Sequence, residues 1–231
     1  MPIGPWNFNK YSDMFKHKKV LDLACFQGDS TKTILDFGAE SVTGLDVRSS
    51  HIDVAKKNNN DVKISYFVQD ITNYSFVKPL VLQSDVISCF GVLYHLFDHF
   101  RFFQNIMTHN IEYILFETLY GPESKNPEMF WSYESTDPNT HGWLEGYSTT
   151  PYGTPNLSWI KQSAQIFNFD IDIVERYYFS DDFSNISDYE RNKRMVVRLF
   201  NKKKFPTRTS LTLDEIWQWD NTNLINLSTN L

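Results

Sequence analysis

The chain predicts an α/β fold built on a doubly wound, mostly parallel sheet, and two observations lead there. Short apolar runs at 20–23, 41–46, 62–68 and 85–90 each end in a polar or loop element. Runs of that length and composition are those of strands buried on both faces. The second observation is the order strand, tight loop, helix in residues 20–37. There unpaired backbone N–H groups converge where a helix begins, the local architecture of a nucleotide pocket.

The first strand is Val20-Leu21-Asp22-Leu23, and its loop is Ala24-Cys25-Phe26-Gln27-Gly28. Ser30 and Thr31 open a helical pattern with Ile34, Leu35 and Phe37 on its apolar side, and Gly38 can close it. The second strand, Ser41 to Asp46, finishes in a carboxylate 18 residues past Gly28. An acid about twenty residues past such a loop accepts hydrogen bonds from a ribose diol. A helix is expected from Ser49 or Ser50, with Asp53 completing a capping-box-like pattern and Asn58-Asn59-Asn60 ending it. The third strand, Val62 to Val68, runs into Gln69-Asp70-Ile71, where a carboxylate can accept from an adenine amino group. The fourth, Asp85 to Phe90, leads into Gly91-Val92-Leu93-Tyr94-His95-Leu96. Asp98 then caps a helix with Phe102, Phe103, Ile106 and Met107 at helical spacing, read as core. Ile111 to Glu117 is a fifth strand, Ser158 to Phe167 a helix, and 171–179 and 195–200 are late strands.

Taken together, Leu21 to Gly28, Gly44-Leu45-Asp46, Gln69-Asp70-Ile71 and Asp85 to Leu96 resemble the class I S-adenosylmethionine-dependent methyltransferases. The resemblance covers about residues 18–120 well and implies a Rossmann-like, seven-stranded sheet with an antiparallel last strand in a three-layer sandwich. It implies S-adenosyl-L-methionine as cofactor and S-adenosyl-L-homocysteine as product. By that analogy Asp22, Ala24, Cys25, Phe26, Gln27 and Gly28 lie under the methionine part, and Asp46, with Val47 and Arg48 beside it, holds the ribose. Asp70 and Ile71 flank the adenine, and Phe90, Gly91 and His95 face the sulfonium. The chain departs from most of the family at Ala24 and Phe26, where glycines are usual. Glycine is normally needed where φ turns positive or the backbone meets a ligand closely.

Length and composition bound the rest. The 231 residues fit one domain with a good core. We divide them into an arm (1–18), a methyltransferase domain (19–205) with a lid or acceptor insertion at about 119–156, and a tail (206–231). No apolar run approaches a transmembrane length, and the first residues lack the blocks of a signal peptide, so a cytoplasmic protein is expected. Cys25 and Cys89 are too few for a disulfide scaffold and read as small buried thiols. No Cys/His cluster has metal-ligand spacing, so no metal is expected. A net charge of −6 disfavours nucleic acid as a partner. Arg191 to Arg208 runs the other way with eight Lys/Arg, read as a solvated edge, with a phosphorylated-acceptor patch as the alternative.

The insertion is the unusual part. It combines five prolines with Trp131, Tyr133, His141, Trp143, Tyr147 and Tyr152, too aromatic to stay solvated and too long for an idle loop. For catalysis we single out His95, then His141, as a general base, and for the acceptor Tyr94, Glu117, Trp131, Trp143 and Tyr147. The leading reading is O- or N-methyl transfer to a small molecule, sugar or glycan-type acceptor, by a monomer or homodimer. Two alternatives stand beside it: a tRNA-modifying enzyme of the same fold, and a cofactor-binding but inactive partner subunit. A nicotinamide dehydrogenase is poorly supported, because Gly-x-Gly-x-x-Gly never follows the first strand.

Overall fold

In the computed structural model, residues 8–136, 148–177 and 194–215 are described. The order is α1 (Ser12–Phe15), β1 (Lys19–Leu23), α2 (Asp29–Asp36), β2 (Ser41–Asp46), α3 (Ser49–Asn58) and β3 (Ile64–Val68). There follow α4 (Tyr74–Leu82), β4 (Val86–Phe90), α5 (His99–Ile106), β5 (Tyr113–Leu119), β6 (Met129–Ser135) and β7 (Thr149–Pro155). The last are α6 (Leu157–Ile166), β8 (Phe169–Tyr177) and β9 (Arg194–Asn201). Seven strands form one sheet in the order β3-β2-β1-β4-β5-β9-β8, with β1 to β5 parallel and β9 antiparallel to both neighbours. This is the seven-stranded α/β sheet the resemblance implied. The insertion forms its own antiparallel hairpin, β6–β7.

Strand alternation divides the core into two layers. Leu21, Leu23, Leu45, Ile87, Ile114, Phe116, Val197 and Leu199 face α4, α5 and α6 through Val77, Val81, Phe102, Phe103, Ile106, Leu157 and Ile160. Val20, Val42, Val86, Leu115, Val196 and Phe200 face the other way, against Tyr11, Met14 and Phe15 around α1 and Ile34 of α2. Successive residues of one strand therefore serve opposite layers, which is why the central strands read as continuous apolar runs. Phe102, Phe103, Ile106 and Met107 are buried in the first layer, as their spacing predicted.

Four local readings need comment. Asp98 caps α5, accepting from the Arg101 N–H at 3.0 Å. The capping role expected of Asp53 is not used: Arg48 stands at the start of α3, with no side-chain cap bond. Helix α4 was not read from the sequence, because Pro79 sits inside it and masks its period. The basic stretch divides: Arg198 and Arg208 bond Asp172 and Arg194 is buried, whereas Lys202, Lys203 and Lys204 are exposed, as a solvated edge would be; Arg191 and Lys193 lie outside the described residues. The early part of the tail also packs, since Phe205 stacks on Tyr113 and the Leu211 N–H donates to the Ile171 carbonyl.

Candidate active site

The strand order reverses direction between β1 and β4, and open α/β sheets bind ligands outside the carboxyl ends of the strands at such a switch point. Register brings the relevant ends level. Leu23 pairs with Leu45 on one side and with Cys89 on the other, so Ala24, Asp46 and Phe90 stand together one step beyond. Asp46 pairs with Val68, and Phe90 with Glu117. The loop after β1, the acid of β2, the turn after β3 and the segment after β4 therefore open on one crevice.

The β1 loop keeps the shape that glycines would give it. Ala24 (φ 59°), Phe26 (φ 52°) and Gly28 (φ 84°) all lie in the left-handed region. Gly28 is obligatory, since a Cβ there would sit 2.4 Å from the Tyr66 hydroxyl. The loop is held from both sides. The buried carboxylate of Asp22 accepts from Ser30 Oγ, Thr31 Oγ1 and Ser88 Oγ, each at 2.7 Å, tying β1 to the start of α2 and to β4. Burial pushes its pKa up against those three hydrogen bonds. Asp22 thus shapes the loop from beneath. The Cys25 N–H donates to the Leu45 carbonyl, and burial pushes the thiols of both Cys25 and Cys89 up, leaving them unreactive.

On the β2 side, Asp46 accepts from the Phe26 N–H at 3.1 Å and the Arg48 N–H at 3.0 Å. The Arg48 guanidinium also bonds it, at 3.1 and 3.3 Å. The Phe26 ring packs against His51 at 4.1 Å and beneath Arg48 at 5.5 Å, so the unusual aromatic of the loop walls the acid's edge. Burial and Arg48 hold the His51 pKa down. Val47 is exposed and Gln27 half-buried. At the end of β3, Asp70 closes a turn by accepting from Thr72 N and Oγ1 at 2.8 Å, with Ile71 buried beside it.

Beyond β4, Gly91 (φ 68°) donates its N–H to the Glu117 carbonyl, and a 3₁₀ turn at Leu93–His95 follows. Tyr94 and Glu117, both read as acceptor-side residues, meet through a third that sequence reasoning missed. Arg194, opening β9, donates to Glu117 Oε1 at 2.6 Å and to the Tyr94 hydroxyl at 3.0 Å. All three are buried. Burial drives the Glu117 pKa up while Arg194 pulls against it. A charged residue opening an apolar strand was the visible signal; its partner 77 residues away was not. The other missed residue is Glu134 of β6, whose Oε1 lies 3.2 Å from His95 Nδ1. Trp131 is half-exposed on the same strand, with its ring 5.9 Å from His99. His141, Trp143 and Tyr147 lie outside the described residues.

A family model described as a methyltransferase domain matches residues 20–109, the span that holds the β1 loop, Asp46, Asp70 and His95. Over that span the chain is similar to the methyltransferase-domain family. No curated protein sequence matches it. Solved structures share the fold. An S-adenosylmethionine dependent methyltransferase from Mesorhizobium loti is 16% identical (TM-score 0.58, covering 85% of this chain and 98% of that one). Magnesium protoporphyrin IX methyltransferase from Synechocystis, with bound S-adenosylmethionine, is 11% identical (TM-score 0.55, 83% and 74%). The glycopeptide N-methyltransferase MtfA, also complexed with S-adenosylmethionine, is 13% identical (TM-score 0.53, 83% and 84%). Two of these neighbours hold S-adenosylmethionine, and the chemistry of the crevice fits such a group. Asp46 ends β2, Asp70 stands in the turn after β3, and Ile71 and Phe90 add apolar surface beside them. Among the described residues no His/Cys/Asp/Glu group could hold a metal ion, and no helix is long and apolar enough to cross a membrane.

Proposed function

We propose that this chain is an S-adenosylmethionine-dependent methyltransferase that acts on a hydroxyl or amine of a small molecule, sugar or glycan-type acceptor, with His95 as general base. What carries the reading is the crevice at the β1/β4 switch point, bordered past β4 by a half-buried imidazole and flanked by a hairpin. In this reading Ala24 to Gly28 lie under the methionine portion, Asp46 holds the ribose diol in exchange for its Arg48 contacts, and Asp70 and Ile71 flank the adenine. When bound, the cofactor supplies an electrophilic methyl carbon on a sulfonium that leaves as a neutral thioether. The protein's part is to align the acceptor's lone pair with that carbon, exclude water and remove a proton. His95 takes the proton released from the acceptor's O–H or N–H. Tyr94 and Glu117, locked by Arg194, border the acceptor side, and Trp131 offers an aromatic surface at its rim. The acidic net charge supports a small acceptor over nucleic acid.

Two measurements test this. Isothermal titration of folded protein with S-adenosylmethionine gives saturable heat; its absence removes the reading. Release of S-adenosylhomocysteine across a panel of glycosides, glycopeptides, phenols and amines then identifies the acceptor. No acceptor-dependent release anywhere in the panel favours an inactive partner subunit instead.

A further inference from the structure

The geometry points to Glu134 as the positioning residue that makes His95 a base, a step that rests on the role just proposed for His95. An imidazole has two nitrogens, and it is a base at one only while the proton sits on the other. His95 Nδ1 lies 3.2 Å from Glu134 Oε1, with both side chains largely shielded, at 12% and 19% exposure. The contact lies off the line of a hydrogen bond in this geometry, so the carboxylate favours the tautomer protonated on Nδ1 by its charge at that distance. The lone pair is then left on Nε2, and the ring stays favoured once Nε2 has taken a second proton. Tyr94, its ring 4.2 Å from that of His95, limits how far the imidazole can turn away.

Glu134 reaches this place only because of the insertion. It pairs across the hairpin with buried Thr150, and β7 packs on the turn that holds His95. The hairpin lies outside the span matched by the methyltransferase-domain model, whereas His95 lies inside it. The arrangement therefore couples a segment outside the matched span to a position inside it. Docking of β6–β7 and assembly of the base become one event.

The test needs only protein and S-adenosylhomocysteine. Long-range ¹H–¹⁵N spectra of histidine-labelled protein report the tautomer of each imidazole, with His95 assigned by its loss in His95→Gln. The wild type is expected to show His95 protonated on Nδ1. Glu134→Ala is expected to move the population toward the Nε2-protonated form, and Glu134→Gln, which keeps an acceptor, to move it less. Unchanged affinity for S-adenosylhomocysteine in both variants certifies the fold. The same tautomer mixture in wild type and Glu134→Ala overturns the inference. Once an acceptor is known, Glu134→Ala should lower kcat roughly tenfold or more, and add nothing in the His95→Gln background. Equal losses in both backgrounds would make Glu134 merely structural. If His95→Gln turns over like wild type, the base assignment fails on its own, whatever the spectra show.

Discussion

Ala24 and Phe26 hold left-handed backbone that costs an L-residue roughly 1–2 kcal/mol. Asp22 beneath and Asp46 beside the loop over-determine the shape, so glycine's freedom is not required there. Ala24→Gly should therefore leave stability within about 1 kcal/mol of wild type, its relief offset by unfolded-state entropy. Ala24→Val, β-branched at the same φ, should cost clearly more in urea denaturation. At Asp46, replacement by Ala removes the acceptor proposed for the ribose and should weaken S-adenosylmethionine at least about tenfold by calorimetry, the loss of one charge-assisted hydrogen bond. Unchanged affinity would place the ribose elsewhere. Arg194 makes a different kind of case. Arg194→Met strands Glu117 in the interior and should cost roughly 3–5 kcal/mol, whereas Arg194→Met with Glu117→Leu should recover most of it. Denaturation curves of the single and double variants decide between this and a surface-like role.

At the scale of elements, the joint between hairpin and domain carries a pH signature. His99 opens α5 between Trp131 of β6 and Trp159 of α6, and burial lowers its pKa to about 4. A histidine with a depressed folded pKa binds fewer protons folded than unfolded between its two pKa values. Its contribution is therefore complete above about pH 6.5 and is lost as pH falls toward 4. The loss is at most about 3 kcal/mol. His99→Phe should flatten the stability profile over that window, read by melts at pH 7 and pH 5; an unchanged slope would mean the ring is solvated. Helix α4 and the hairpin share a reason for escaping sequence reading. Pro79 interrupts the period of one, and Pro151, Gly153 and Pro155 make the other look like loop, so tertiary contact, not propensity, decides both.

Across the whole molecule, the placement of the crevice follows from strand order. The parallel strands, the β1 loop, the acids at 46 and 70 and the turn at 93–95 were legible, because each depends on a local run of residues and a short spacing. Arg194 with Glu117, and Glu134 with His95, were not, because each pair joins segments 77 and 39 residues apart that meet only after the sheet and hairpin assemble. The pairing of Arg198 and Arg208 was hidden for the same reason: their acid, Asp172, comes from another strand. With Arg198 and Arg208 paired and the net charge at −6, tRNA should show no saturable binding at about 0.15 M salt by fluorescence anisotropy. Saturable binding with a steep salt dependence would reopen the nucleic-acid reading. Local order along the chain thus suffices for the fold class and for the strand ends that gather at one edge, since apolar periodicity and loop spacing are short-range. The polar partners that would tune the chemistry were settled in three dimensions, because burial pairs charges by proximity in space and leaves no mark at a constant distance along the chain.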